Sequence, residues 1–286
     1  MIGARFPRPI VMKTLFALSL LLLAGSAEAH PPVGIVVDAR GNIYYSDLTQ
    51  VLRQAPDGTR TVAVPNVHTH ELYLDAAGNL YGEHLRYEGG ASNRWLHYFW
   101  RRSPDGTITR VTSEHATFHN EDAISLVRDA AGNSYWANHD AKTIMRNREV
   151  LARGDSHDIR WMTAAPDGTV YFVDATEDRS DLVRVTPGGD VRIVVRGLAE
   201  RRLLRPDMEQ RHAVMGLWTD RAGDVYAADY AQGQVKRVTR AGRVTVVAES
   251  TLPWSVTGGV FAPNGDLWLL ETSTTNAVRV RKVRAQ

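Results

Sequence analysis

Three histidines, His30, His157 and His212, each stand eleven residues ahead of a glycine (Gly41, Gly168, Gly223) that closes a turn between two apolar runs. The same offset from Gly78, Gly132 and Gly265 falls on Val67, Glu121 and Trp254, and His68 and His70 follow Val67 within three residues. Three imidazoles plus a water make a catalytic zinc site, whereas a carboxylate-rich set suits calcium. Either ion polarises a substrate oxygen or lowers the pKa of a bound water. On this phasing His70, His157 and His212 are the nominated ligands of a divalent metal. Glu121 or Asp158 is then the general base, a role that needs reach to the reacting proton and a tuned pKa. His30, His68, Asn138 and Trp254 are the nominated substrate contacts. The competing reading of the histidines is a wet, polar funnel without metal.

Six residues after the same glycines stand Asp47, His84, Asn138, Asp174, Asp229 and Glu271, all polar. They could face a common opening, or each could bind loop N–H groups of its own blade. Trp95, His97, Tyr98, Phe99 and Trp100 form an aromatic run, read as outer packing or as a stacking platform. Arg201, Arg202 and Arg205 could clamp an anion or lie in a solvated loop. His30, as the first residue of a processed chain, could chelate copper through its amine and ring. The chain has no cysteine, which removes disulfides and thiolate ligands. It also lacks a G-x-S-x-G elbow, an H-E-x-x-H pair and a Walker loop, so a serine triad has no support.

The elements that must position these side chains are written in the repeat itself. Gly34–Asp47 reads as two β-branched and aromatic runs joined by a D-x-x-G-N turn, a hairpin signal. Five further copies follow around Gly78, Gly132, Gly168, Gly223 and Gly265, at spacings of roughly 36 to 55 residues, the range of β-propeller blades. The expected fold is all-β, a six-bladed propeller. Each hairpin supplies strands A and B, and turns such as Pro56–Gly58 and Pro104–Gly106 separate strands C and D. Nothing follows Ala277–Val283 as a fourth strand, so the last blade is expected to be three-stranded and closed against blade 1 by packing alone. A–B and C–D turns are short, and insertions fall at Tyr87–Arg94, Thr176–Ser180 and Leu198–Arg211. The B–C and D–A rim is therefore the expected binding face.

Residues 1–29 read as a secretory signal peptide: Lys13, an apolar run from Leu15 to Leu23, and a small-x-small site at Ala27–Ala29. The run is short for a membrane span, which needs about 20 residues. Residues 30–286 are the expected mature domain, exported to the periplasm or medium after cleavage before His30. The formal charge is +2, and loss of Arg5, Arg8 and Lys13 with Glu28 leaves a neutral chain. That balance speaks against nucleic acid as a partner. A monomer acting on a small molecule, with no stable membrane insertion, is expected.

The apolar-x-x-D-x-x-G-N-L-Y-x-x-D unit with x-R-x-x-P-D-G after it resembles the NHL repeat. It is also similar to the six-bladed propellers that include gluconolactonases and the senescence-marker-protein family, over nearly all of residues 33–283. The resemblance implies the fold, and a function among lactonases, lyases and plain binding proteins. Gluconolactonase-like enzymes hold a divalent metal with Glu, Asn and Asp, the Glu within E-G-P-x-W; here that place reads His30-Pro31-Pro32-Val33-Gly34, and no N-G-L motif precedes a later strand A. Ser156-His157-Asp158-Ile159 ahead of Pro166–Tyr171 is similar to a segment of peptidylglycine amidating lyases, which carry zinc on such histidines, and implies that role for His157. The disulfides of that group are absent. The expectation is a secreted propeller that binds a small polar ligand in its central funnel, a metal-dependent lactonase-like hydrolase or lyase using zinc or calcium. The alternative is a non-catalytic propeller that binds a ligand or protein.

Overall fold

The structure is a computed structural model that describes residues 30–283 except 89–94, 116–125, 139–140, 155 and 201–209, and except the side chain of Glu200. Its strands form six antiparallel sheets. Blade 1 holds β1 (Ile35–Val37), β2 (Ile43–Ser46), β3 (Val51–Gln54) and β4 (Arg60–Val64); blade 2 holds β5 (Leu72–Leu74), β6 (Leu80–Tyr87), β7 (Trp95–Arg102) and β8 (Ile108–Arg110). Blade 3 comprises β9 (Tyr135–Asn138), β10 (Thr143–Arg146) and β11 (Glu149–Arg153), with an inner segment joined through the bridge between Arg128 and Ser134. Blade 4 has β12 (Ile159–Ala164), β13 (Val170–Ala175), β14 (Arg179–Val185) and β15 (Val191–Glu200). Blade 5 has β16 (Val214–Thr219), β17 (Val225–Asp229), β18 (Gln234–Val238) and β19 (Val244–Glu249). Blade 6 stops at three strands: β20 (Trp254–Phe261), β21 (Leu267–Ser273) and β22 (Val278–Val283). Among the described residues no helix is long and apolar enough to cross a membrane.

The repeated turn has a side-chain clasp. In blade 3 the Asp129 carboxylate accepts from the Asn133 amide nitrogen, from Asn133 Nδ2 and from the Tyr135 hydroxyl, at 2.9, 2.8 and 2.8 Å. Asp38 and Asp75 hold Asn42 with Tyr44, and Asn79 with Tyr81, in the same way. Burial opposes ionisation of Asp129, but these donors outweigh it and hold the carboxyl below its ordinary range. The glycine at each of these turns has φ near +80°, as at Gly132 with φ 83°, a conformation glycine adopts without a Cβ penalty.

Apolar side chains of consecutive blades meet in separate clusters. Tyr44, Val51 and Val64 of blade 1 pack on Leu72, Leu80 and Trp100 of blade 2, and Trp218, Tyr226 and Val235 of blade 5 on Val256, Leu267 and Leu269 of blade 6. The ring closes where Ile35, Ile43 and Tyr45 of blade 1 pack on Leu270 and Val280 of blade 6. The strands reach into two of the expected insertions, at Arg179–Ser180 and at 198–200. Ala175 and Asp174 pair with Ser180 and Asp181, so β13 and β14 join through a tight turn at 176–178. Leu198 and Ala199 are buried in β15.

Candidate functional site: the imidazole-lined end of the central channel

The inner strands leave an axial cavity of about 200 Å³. Counting seven back from the turn glycines gives Gly34, Glu71, Trp161, Gly216 and Gly258 in the described blades, and all of them line it. Glycine suits a throat where inner strands nearly touch. The Gly34 amide donates to the His70 carbonyl at 2.6 Å, a Cβ on Gly216 would lie 2.5 Å from the Thr257 carbonyl, and one on Gly258 would collide with the Val33 carbonyl. Against three glycines, Glu71 and Trp161 are the bulky exceptions. Trp161 is the extra residue of a bulge in β12, between the Arg160 and Met162 pairings, and a bulge re-aims the side chain it carries.

Histidine rings from three blades gather beside Trp161 of this lining. His30 lies 5.4 Å from His70 and 5.0 Å from His212, centroid to centroid, and Trp161 meets it edge-on at 5.6 Å. His70 in turn meets His68 at 4.9 Å. His30 and His70 thus come from segments entering β1 and β5, and His212 from a 3-10 turn at Gln210–His212 that enters β16.

Two carboxyls stand with them. Glu83 of β6 has an oxygen 4.0 Å from His70 Nδ1 and a side chain only 13% exposed. Burial, then the charge of Glu71, pushes its carboxyl up to about 8, against a hydrogen bond from the His70 backbone N–H. Burial alone pushes Glu71 up to about 7. His68 shifts the opposite way. Burial, then His84, lowers its pKa against a hydrogen bond to the Leu48 carbonyl, and its Nε2 is buried without a hydrogen-bond partner among the described groups. At neutral pH the site therefore holds a proton donor in Glu83 and a neutral imidazole acceptor in His68, the divergence that marks an acid–base pair.

The other nominated residues lie elsewhere or act locally. The His157 ring is 65% exposed and pairs with Asp174 at 3.3 Å, so it does not join the ring contacts of His70 and His212 with His30. Asp158 is tied to Arg160 at 2.8 Å. Asn138 caps its own turn through the Ala141 amide, and Trp254 lies under the Arg279 guanidinium at 4.2 Å. Glu121 lies outside the described residues, as do Arg201, Arg202 and Arg205. The polar ring that ends the second strands is likewise local: Asp47 accepts from the Thr49 and Gln50 amides, His84 from the His68 amide, Asp174 from the His157 and Asp158 amides, and Asp229 from the Gln232 amide. Glu71 and Glu83 escaped the phasing, yet both are visible as exceptions. Five residues after the turn glycines the other blades carry Ser46, Ala137, Val173, Ala228 and Leu270, where blade 2 has Glu83.

No protein-family model matches the chain, and no curated protein matches it in sequence. Solved structures do match in shape. A gluconolactonase from Xanthomonas campestris is 14% identical with a TM-score of 0.55, covering 88% of this chain and 85% of its own. Regucalcin from Agrobacterium tumefaciens, a calcium-binding protein, is 17% identical with a TM-score of 0.52, covering 85% and 83%. A streptogramin B lyase is 12% identical with a TM-score of 0.56, covering 88% and 94%. The likeness is one of fold. The chain is a six-bladed propeller of the shape that gluconolactonase, regucalcin and streptogramin B lyase share.

The residues at the channel end fit calcium poorly, because that ion takes about six to eight oxygens and this site offers mainly imidazole nitrogen. Among the described residues, no three His, Asp or Glu side chains are arranged to hold a metal ion. His70, His157 and His212 are not gathered as one ligand set.

Proposed function

We propose that this chain binds a small polar molecule at the imidazole-lined end of its channel and acts on it by general acid–base catalysis, as a lactone-type hydrolase or a lyase. The observation that carries this is the contact sequence His68–His70–Glu83, with opposite pKa shifts at its two ends. In the hydrolase form, His68 Nε2 takes a proton from water as its oxygen bonds to the acyl carbon. The ring C–O bond then breaks, and the Glu83 carboxylic acid gives its proton to the leaving oxygen. In the lyase form His68 takes a proton from carbon, and Glu83 protonates the oxygen that departs. His70 spaces the two, while Trp161 offers an apolar face beside His30.

A second reading is a non-catalytic binder, and a third employs zinc or calcium; the likeness to regucalcin, a calcium-binding protein, supports a metal. When bound, a metal would supply Lewis acidity. Export to the periplasm or medium, cleavage before His30 and action as a monomer belong to the same proposal.

The test is a panel of small lactones and esters, with wild type compared against His68→Ala and Glu83→Gln. Turnover that falls by about 100-fold in both variants, the usual scale of a general acid or base, supports the acid–base reading. Turnover unchanged in both removes the site. Ligand binding without turnover, lost in both variants, assigns the binder. Stoichiometric zinc or calcium in protein purified without chelators would move the chemistry to a metal.

A further inference from the structure

We propose that removal of residues 1–29 creates a copper(II) site in which the α-amine and ring of His30 chelate the ion and His212 completes a set of three nitrogens. His30 is the ring at which two others converge, His212 at 5.0 Å and His70 at 5.4 Å. Two imidazoles at adjacent positions of one ion, each bonded at about 2.0 Å, have centroids about 4.5 to 5 Å apart, so the 5.0 Å between the His30 and His212 rings leaves room for a shared ion. The site needs only two histidines, because one of them contributes twice.

The sequence beside His30 narrows the chemistry. A free amine and the imidazole of the same residue close a chelate ring without help from the fold. Copper(II) next tends to take the amide nitrogen of the second residue, but Pro31 has no N–H to lose. The next equatorial position is therefore left for a side chain, and His212 is the ring nearest to His30. A square-planar set of nitrogen donors suits copper(II) or nickel(II), and of the two copper(II) heads the affinity order of first-row divalent ions. Pro32 follows Pro31 and fixes the direction in which the chain leaves the site. The acid–base pair of His68 and Glu83 is not used, so this site stands or falls apart from that reading.

The experiment exports the full chain in a bacterial host and establishes the mature terminus by intact mass. Copper(II) is then titrated against the purified protein, read by electron paramagnetic resonance and by quenching of Trp161, which lies 5.6 Å from His30. A second form is made without residues 1–29 and keeps a Gly-Ser tail of about six residues, flexible enough to carry its own amine away. Its propeller is unchanged in sequence. The expected result is a chain that begins at His30 and binds one copper, with affinity about 100-fold lower in the tailed form, the scale on which losing one anchor of a chelate acts. His212→Ala removes one nitrogen coupling from the spectrum. A mature chain with any other first residue overturns the proposal, as does equal copper affinity in the tailed form. Quenching that persists in a Trp161→Phe variant at full amplitude also counts against it, by placing the ion elsewhere.

Discussion

Nδ1 of His70 lies 4.0 Å from the Glu83 carboxylate, and the His70 backbone N–H donates to that same carboxylate. One residue thus touches Glu83 twice, yet burial and the neighbouring Glu71 still favour the protonated acid. The linkage has a definite sign. The folded pKa is raised, so between 4.5 and about 8 the folded chain holds a proton that the unfolded chain releases. Stability from this group is full below 4.5 and falls as pH rises to about 8. Glu83→Gln removes the group that titrates. Relative to wild type, its melting temperature is expected to rise between pH 5 and pH 8 by roughly 5 °C; thermal melts at the two pH values check it.

Glu271 shows the opposite behaviour in blade 6. It is fully buried, and it accepts from Ser250 Oγ at 2.6 Å, Arg279 Nε at 2.7 Å and Arg281 Nε at 2.9 Å. Burial opposes its ionisation, but the bonds from Arg281, Ser250 and Arg279 prevail and lower its pKa. Its contribution is present above 4.5 and is lost as pH falls through the lowered folded value. Glu271→Gln leaves two guanidinium groups facing a neutral amide, and is expected to cost about 3 kcal/mol, measured by urea unfolding at neutral pH.

Among the described residues blade 6 has three strands, and closure depends on how tightly β20 meets β1. A Cβ at Gly258 would strike the Val33 carbonyl, whereas one at Gly154 would meet nothing nearer than Ser156 Oγ at 3.9 Å. Gly258→Ala is therefore expected to destabilise the chain by about 2 to 3 kcal/mol, and Gly154→Ala by less than about 0.5 kcal/mol. Paired denaturant titrations separate them.

The propeller was legible because its hairpins are local. D-x-x-G-N-x-Y states turn, clasp and strand in a few residues, and the last blade has the three strands expected of it. The ends that lengthen β14 and β15 were not legible, because Ser180–Asp181 is polar, Leu198–Ala199 lies beyond Gly197 with its φ of 62°, and Ala199 joins the sheet only as the partner of Ser180. At the site, phase found His30 and His212, which share ring contact, and His157, which does not. His157 has the same offset, yet its ring is taken by Asp174. The carboxyls were missed for a different reason. Glu83 and Glu71 share phases with small or apolar residues in other blades, and what marks them is being exceptions to a repeat.

The central claim is that Glu83 and His68 divide the roles of acid and base. Carboxyl-carbon and imidazole NMR titrations of the wild-type protein, assigned with Glu83→Gln and His68→Ala, test it without a substrate. The account predicts a Glu83 midpoint near 8 and a His68 midpoint below 6.5. A Glu83 that titrates near 4.5, beside a His68 at or above 6.5, would contradict it.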